Sequence, residues 1–149
     1  LSFHGLPIKQ IDKTSKCKSM CDRSTGCPTI ANLNQNCYRA QCYASARAIV
    51  KKLQLEHDQY SIAFQSRLGK LAWIQPYVTE HIEALAAKGI KRLSIACPSF
   101  FCDCLETLDE IGNELREQWI DLGGESLQLI PCLNDSSAAI DFLEKLIQQ

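Results

Sequence analysis

Two groups of residues in this chain can do chemistry. One is a crowd of cysteines, and the other is a small set of acid, base and aromatic residues at turns. The nine cysteines are Cys17, Cys21, Cys27, Cys37, Cys42, Cys97, Cys102, Cys104 and Cys132. Their number is odd and many crowd into one stretch, which favours a reduced compartment with a metal or cluster site over a disulfide framework. Cys17, Cys21, Cys27 and Cys37 have three, five and nine residues between them. Four thiolates suit a [2Fe-2S] cluster or structural zinc, and these spacings follow no common zinc-ribbon template. Lys13, Lys16, Lys18 and Arg23 surround them. Positive charge favours thiolates and offsets a negative cluster, although a solvated basic loop would have the same composition. Cys97 and Cys132 end apolar runs and read as small buried hydrophobes. Cys102 and Cys104 are placed where they can touch a metal.

His4 sits in Ser2-Phe3-His4-Gly5-Leu6-Pro7, where a short strand ends. Gly5 allows a tight turn and Pro7 fixes the exit. A histidine there can act as a base or a ligand near neutral pH, and a purely structural role fits equally well. His57 and His81 read as solvent-facing, one in a loop and one on a helix. Glu106 opens a helix after Phe100-Phe101-Cys102-Asp103-Cys104. Asp103 is placed as an N-cap, with Glu106 three residues later as in a capping box. Spacing alone leaves capping and catalysis level for Glu106. Trp73 lies in a loop bearing Gly69 and Pro76, where it can wall a flat apolar ligand or anchor the loop. Beside it, Ser66 and Arg67 follow an apolar run, and Arg67 can meet a carboxylate.

These residues need a frame. After a terminal strand, residues 5–36 lack a convincing period, and a loop that long is usually functional. Tyr38 to Leu55 reads as a helix with Ala40, Ala44, Ala48, Ile49 and Leu53 as its apolar set. Tyr60 to Phe64 is a strand, Thr79 to Lys88 a helix ended by Gly89, and Arg92 to Ala96 a strand. Asp103 to Leu122 is the longest helix, Leu127 to Ile130 a strand, and Asp135 or Ser136 caps a last helix reaching Leu146. Strands alternating with helices predict an α/β fold, a parallel sheet with helices on both faces. Ligands in such folds bind beyond the carboxyl ends of the strands. His4, Ser66, Arg67, Pro98 and Asn134 all follow strand ends and are expected on one edge.

At 149 residues, 46% hydrophobic and 22% charged, the chain is sized for one globular domain. A formal net charge of -1 gives no global attraction to nucleic acid or an anionic membrane, and the basic loop lacks aromatic stacking residues. No apolar run approaches the roughly 20 residues that cross a bilayer, and no signal-peptide pattern is present. A chain that opens at Leu1 on a strand already ending is expected to be a piece of something longer.

Ser-Phe-His-Gly-Leu-Pro, Phe-Gln-Ser-Arg-Leu-Gly, Trp-Ile-Gln-Pro and Asp-Cys-Leu-Glu-Thr-Leu follow one another in this order. Together they resemble the C-terminal half of the ferrochelatase family, and the likeness runs over residues 1–149 apart from a cysteine-bearing insertion at about 9–37. The resemblance implies one of two similar chelatase-like, Rossmann-type lobes, with the N-terminal lobe absent from this chain. It implies insertion of Fe2+ into a porphyrin, protoporphyrin IX or coproporphyrin III, late in haem biosynthesis. His4 would then be the active-site histidine and Glu106 its acidic partner, both near the incoming metal. Trp73 and Phe100 would wall the porphyrin cleft, with Ser66 and Arg67 beside it. Many members carry a histidine where this chain has Cys104, so a relay through a second histidine is not expected.

The loop also resembles the insertion of bacterial ferrochelatases that hold a [2Fe-2S] cluster. That likeness implies Cys17, Cys21, Cys27 and Cys37 as ligands, with Cys42 as the alternative. Expected partners are porphyrin, ferrous iron and the missing lobe, with no nucleic acid; expected localisation is cytoplasmic. Peripheral membrane contact and a homodimer are compatible with this reading. The rival readings are an iron–sulfur sensor or scaffold that kept the fold, and a chelatase for another metal.

Overall fold

A computed structural model describes residues 1–14 and 26–149. Its parallel strands and helices form the expected α/β fold. Strand β1 (Ser2–His4) pairs in parallel with β2 (Ala63–Gln65), placing Phe3 opposite Phe64 and His4 opposite Gln65. Strand β3 (Arg92–Ile95) pairs in parallel with β4 (Ser126–Leu129), Ile95 lying opposite Leu129. The Ser2 N–H donates to Ala96 C=O at 2.9 Å and joins the two pairs.

Helices α1 (Ile8–Thr14), α2 (Tyr38–Leu53) and α3 (Val78–Ala87) precede β3. Successive residues of a strand point to opposite faces, and β2 shows the result directly. Ala63 packs with Val78 and Ile82 of α3 and with Ile111, Leu115 and Trp119. Its neighbour Phe64 packs with Phe3, with Ile11 of α1, and with Ala40, Cys42 and Ala46 of α2. Helices therefore cover both faces. On α2 the buried positions are 39, 40, 42, 46 and 50, while Ala48 and Leu53 are exposed. Of the expected set Ala40, Ala44, Ala48, Ile49 and Leu53, Ala40 is buried and Ala44 and Ile49 are half-buried, so the stripe is rotated towards Cys42, Ala46 and Val50.

Three elements differ from expectation. Residues 8–14, read as aperiodic, form α1, a two-turn helix held on the core by the buried Ile11 and the partly buried Ile8. The expected long helix begins at Leu105, not Asp103, as α4 (Leu105–Leu108). It then widens into a π-helical segment, Glu110–Leu115, before α5 (Arg116–Asp121). The Glu114 N–H to Asp109 C=O bond of 2.9 Å spans five residues. Thr107, Ile111, Leu115 and Trp119 are all buried at a constant spacing of four. An α-helix of 3.6 residues per turn rotates such a series off the core, and the wider π turn brings it back. After α5, Gly124 is required because a Cβ there would lie 2.2 Å from the Trp119 indole nitrogen.

The last helix, α6 (Ser137–Ile147), follows Ser136 at its N-cap position, although that side chain makes no capping bond. Only Ala139 of α6 is buried; Ile140, Phe142, Leu146 and Ile147 are exposed. Among the described residues no helix is long and apolar enough to cross a membrane.

Candidate active site

His4 ends β1, and its main chain is fixed from two sides. Its N–H donates to Ser99 Oγ at 2.9 Å, and its C=O accepts from the Tyr38 hydroxyl at 2.8 Å. The next residue must be glycine, since a Cβ on Gly5 would meet Gln65 O at 2.8 Å and the Trp73 ring at 3.2 Å. The imidazole Nδ1 faces the Gly5 carbonyl. A carbonyl only accepts, so Nδ1 carries a proton, and Nε2 is the nitrogen left to face a ligand. The ring lies between two aromatic groups, 6.4 Å from Trp73 and 5.9 Å from Phe100 between centroids. Trp73 and Phe100 are both half-buried. Trp73 is held by its indole N–H donating to Leu68 C=O at 3.1 Å.

Glu106 comes to the same place from α4. The Cys104 side chain, the carboxylate's own helix-start N–H and the charge of His4 hold its carboxyl below the usual range. The capping-box reading of Asp103 and Glu106 does not hold. Cys104 occupies the N-cap position, and its N–H donates to Thr107 Oγ1 at 3.0 Å. Asp103 reaches across the sheet edge instead. Its carboxylate accepts from Asn134 Nδ2 at 2.7 Å, Thr107 Oγ1 at 3.0 Å and the Cys132 N–H at 3.3 Å. Its own N–H donates to Asn134 Oδ1 at 2.8 Å. The bond from Asn134 is the main reason the Asp103 carboxyl is held low. This reciprocal pair ties the turn that presents Glu106 to the loop after β4.

Ser66 and Arg67 follow β2 on the same edge. The Ser66 N–H and hydroxyl both donate to Glu110, at 2.6 and 2.8 Å. Gln65 bridges in the same direction, its Nε2 donating to Glu106 C=O at 2.6 Å. Arg67 places its guanidinium 4.4 Å from the centre of the Tyr77 ring. Gln65, Ser66, Arg67, Tyr77, Thr79 and Glu110 line most of a small cavity of about 180 Å³. Glu110 was not anticipated, although it stands four residues after Glu106 and so shares a helix face with it. Among the described residues no group of three or more His, Cys, Asp or Glu is arranged to hold a metal ion.

The ferrochelatase family model matches this chain over residues 1–149. The chain belongs to the ferrochelatase family. Ferrochelatase of Coxiella burnetii (strain Dugway 5J108-111) is 47% identical over 148 residues, which cover 99% of this chain and 42% of the relative. Ferrochelatase of Legionella pneumophila (strain Lens) is 47% identical over 148 residues, again 99% of this chain and 44% of the relative. The chain thus spans less than half the length of these curated ferrochelatases.

Within this chain, Cys17 and Cys21 lie outside the described residues. Cys27 is half-buried and packs on the core that contains the buried Cys37 and Cys42. The buried Arg39 donates to Cys27 Sγ at 3.0 Å and to Gly26 C=O at 3.1 Å. Arg47 donates to Cys27 C=O at 2.9 Å and Pro28 C=O at 3.2 Å. Burial pushes the Cys42 thiol up to about 12, against a lowering hydrogen bond from Tyr38. Cys97 is also pushed up to about 12, mainly by burial. Both are protonated at neutral pH and behave as the small hydrophobes expected for Cys97. Cys132, also pushed up to about 12 by burial and its bonds with Asp103, is half-buried. Cys102 is exposed. His81 was expected to face solvent; it is half-buried, its Nε2 is enclosed without a hydrogen-bond partner, and burial lowers its pKa.

Proposed function

We propose that the full-length protein is a ferrochelatase that inserts Fe2+ into a porphyrin, and that this chain supplies its His4–Glu106 half-site. The observation that carries the reading is His4 set between Trp73 and Phe100, with Glu106 in electrostatic reach. A porphyrin is flat and apolar and suits an aromatic wall. It must lose two pyrrole N–H protons as the metal enters. Nε2 of His4 accepts one proton or guides Fe2+, and the ionised Glu106 beside it receives a proton or steers the cation. Holding the macrocycle bent against Trp73 and Phe100 exposes its nitrogen lone pairs. Ser66 and Arg67 border the same edge and serve substrate binding in this reading, once Ser66 is released by Glu110. Haem biosynthesis in the cytoplasm is the setting this activity implies, with protoporphyrin IX or coproporphyrin III as substrate.

The test uses the full-length protein. His4→Ala should abolish iron insertion with circular dichroism unchanged, and Glu106→Gln should lower kcat more than it weakens porphyrin binding. Near-normal turnover by a folded His4→Ala protein overturns the assignment.

We further propose that the insertion holds a [2Fe-2S] cluster on Cys17, Cys21, Cys27 and Cys37. Support comes from Cys27 and Cys37 packing on one core and from the buried guanidinium donating to the Cys27 sulfur. Cys42, on the helix that follows and packed in the same core, is the alternative ligand. When bound, the cluster closes a long loop and supplies order rather than a chemical step.

A further inference from the structure

Two neighbouring residues, Tyr38 and Arg39, open α2 directly after Cys37, where the insertion ends. The Tyr38 hydroxyl donates to the main-chain carbonyl of His4 at 2.8 Å. On the other side of that residue, Ser99 Oγ takes the His4 N–H at 2.9 Å. Arg39 reaches the other side of the site. One of its nitrogens donates to Cys27 Sγ and Gly26 C=O, at 3.0 and 3.1 Å. The other donates to Tyr43 Oη at 3.3 Å and to Gln75 C=O at 3.2 Å. Gln75 belongs to the Trp73-Ile74-Gln75-Pro76 loop, so a single guanidinium joins the end of the insertion to the aromatic wall. Arg39 is 2% exposed and stacks on Tyr43, 4.7 Å from the ring centre. A buried guanidinium is expensive to enclose without partners, and these bonds fix both of its terminal nitrogens.

We propose that Tyr38 and Arg39 are positioning residues that couple the cysteine-rich insertion to the active site, Tyr38 through the His4 backbone and Arg39 through Cys27 and the Trp73 loop. The inference rests on the ferrochelatase reading and extends it: the insertion sets the placement of the base and the wall. Arg39 also lays a permanent positive charge against a sulfur that is negative whenever it binds metal. Arg47 offers the internal control, since it holds Cys27 and Pro28 through their carbonyls and touches neither the sulfur nor the site.

The experiment compares full-length wild type with Arg39→Gln, Arg39→Lys, Tyr38→Phe and Arg47→Gln, all purified anaerobically. It measures acid-labile sulfide per chain, and kcat and KM for protoporphyrin IX with Fe2+. Losing a charge-assisted bond changes an equilibrium by about tenfold. Arg39→Gln should therefore raise KM by about that factor and lose most of its sulfide, and Arg39→Lys should recover part of both. Tyr38→Phe should lower kcat with sulfide and KM unchanged. Arg47→Gln should keep all three within about twofold, as expected where only exposed or half-exposed neutral acceptors are lost. If Arg39→Gln and Tyr38→Phe match wild type in kcat and KM, the coupling is refuted. A wild type without sulfide refutes the cluster and not the coupling; a raised KM in Arg39→Gln then still supports the link, and an unchanged KM overturns it.

Discussion

Asn134 holds the turn before Glu106 through its side chain, and its backbone sits in the left-handed region at φ 49°. Two substitutions separate these contributions. Asn134→Gly removes the side chain but tolerates that φ, whereas Asn134→Ala removes the side chain and strains the backbone as well. The side chain takes part in bonds of 2.7 Å to the Asp103 carboxylate, 2.8 Å from the Asp103 N–H and 3.2 Å to Cys132 C=O. Typical net values are about 1 kcal/mol for a neutral bond and about 1.5–3 for a charged one in a buried setting. The Asp103 carboxylate is near the surface, so water recovers part of the loss, and about 2 kcal/mol is expected for Asn134→Gly. Asn134→Ala should lose about 1 kcal/mol more, the αL penalty after allowing for the extra freedom of glycine in the unfolded chain. Urea unfolding of the full-length protein measures both, provided the slope m is unchanged. Iron-insertion kcat should fall in the same order, because Glu106 loses its fixed turn. Equal stability for Asn134→Gly and wild type would refute the clasp. Equal stability for the Gly and Ala variants would refute the strain.

The Asp103 carboxyl is held below its ordinary value of 3.8. A depressed folded-state pKa contributes stability that is complete above that value and disappears as pH falls through the folded pKa. The stability gap between wild type and Asp103→Asn should therefore be constant from pH 7 to about 4 and narrow below that, and a gap independent of pH to about 2 would contradict this. Single Ser replacements at Cys17, Cys21, Cys27 or Cys37 should bleach the visible absorption of the full-length protein, while Cys97→Ser and Cys132→Ser should not. Stoichiometric zinc without sulfide would refute the cluster, and bleaching by Cys42→Ser in place of one of the four would change the ligand set. The 149-residue chain expressed alone should fold yet lack turnover, and should self-associate through the apolar surface of α6, where Ile147 is 83% exposed. Monomeric behaviour in sedimentation, or full iron insertion by the lone chain, would contradict it.

Much of this fold was legible because its signals are local. The turn at His4-Gly5, the strand around Ile95 and the end of α3 at Gly89 each announce themselves within a few residues. What escaped depends on distant partners. Asp103 looks like an N-cap when only its neighbours are considered, but its acceptors are filled by Asn134 and Cys132, about thirty residues on. The short helix α1 has one buried apolar contact, Ile11, too little for a period. The π-helical widening did leave a trace in the sequence. Thr107, Ile111, Leu115 and Trp119 repeat every four residues, and Glu106 and Glu110 share that spacing on the edge facing Gln65 and Ser66. A repeat of four invites reading as an imperfect α-helix, because helices are the commoner solution.

Strand β2 gives the molecule one more property. It is three residues long, yet Ala63 belongs to the core under α3 and α5 while Phe64 belongs to the core under α1 and α2. Neither apolar cluster can loosen without moving a residue whose peptide neighbour is locked into the other. The two halves of the chain should therefore open as one cooperative unit, and the slowest-exchanging amides should be those of β1 and β2. Motion needed to admit a large flat ligand would then fall to segments outside both clusters: the exposed residues 67–72 and the turn at Asp103.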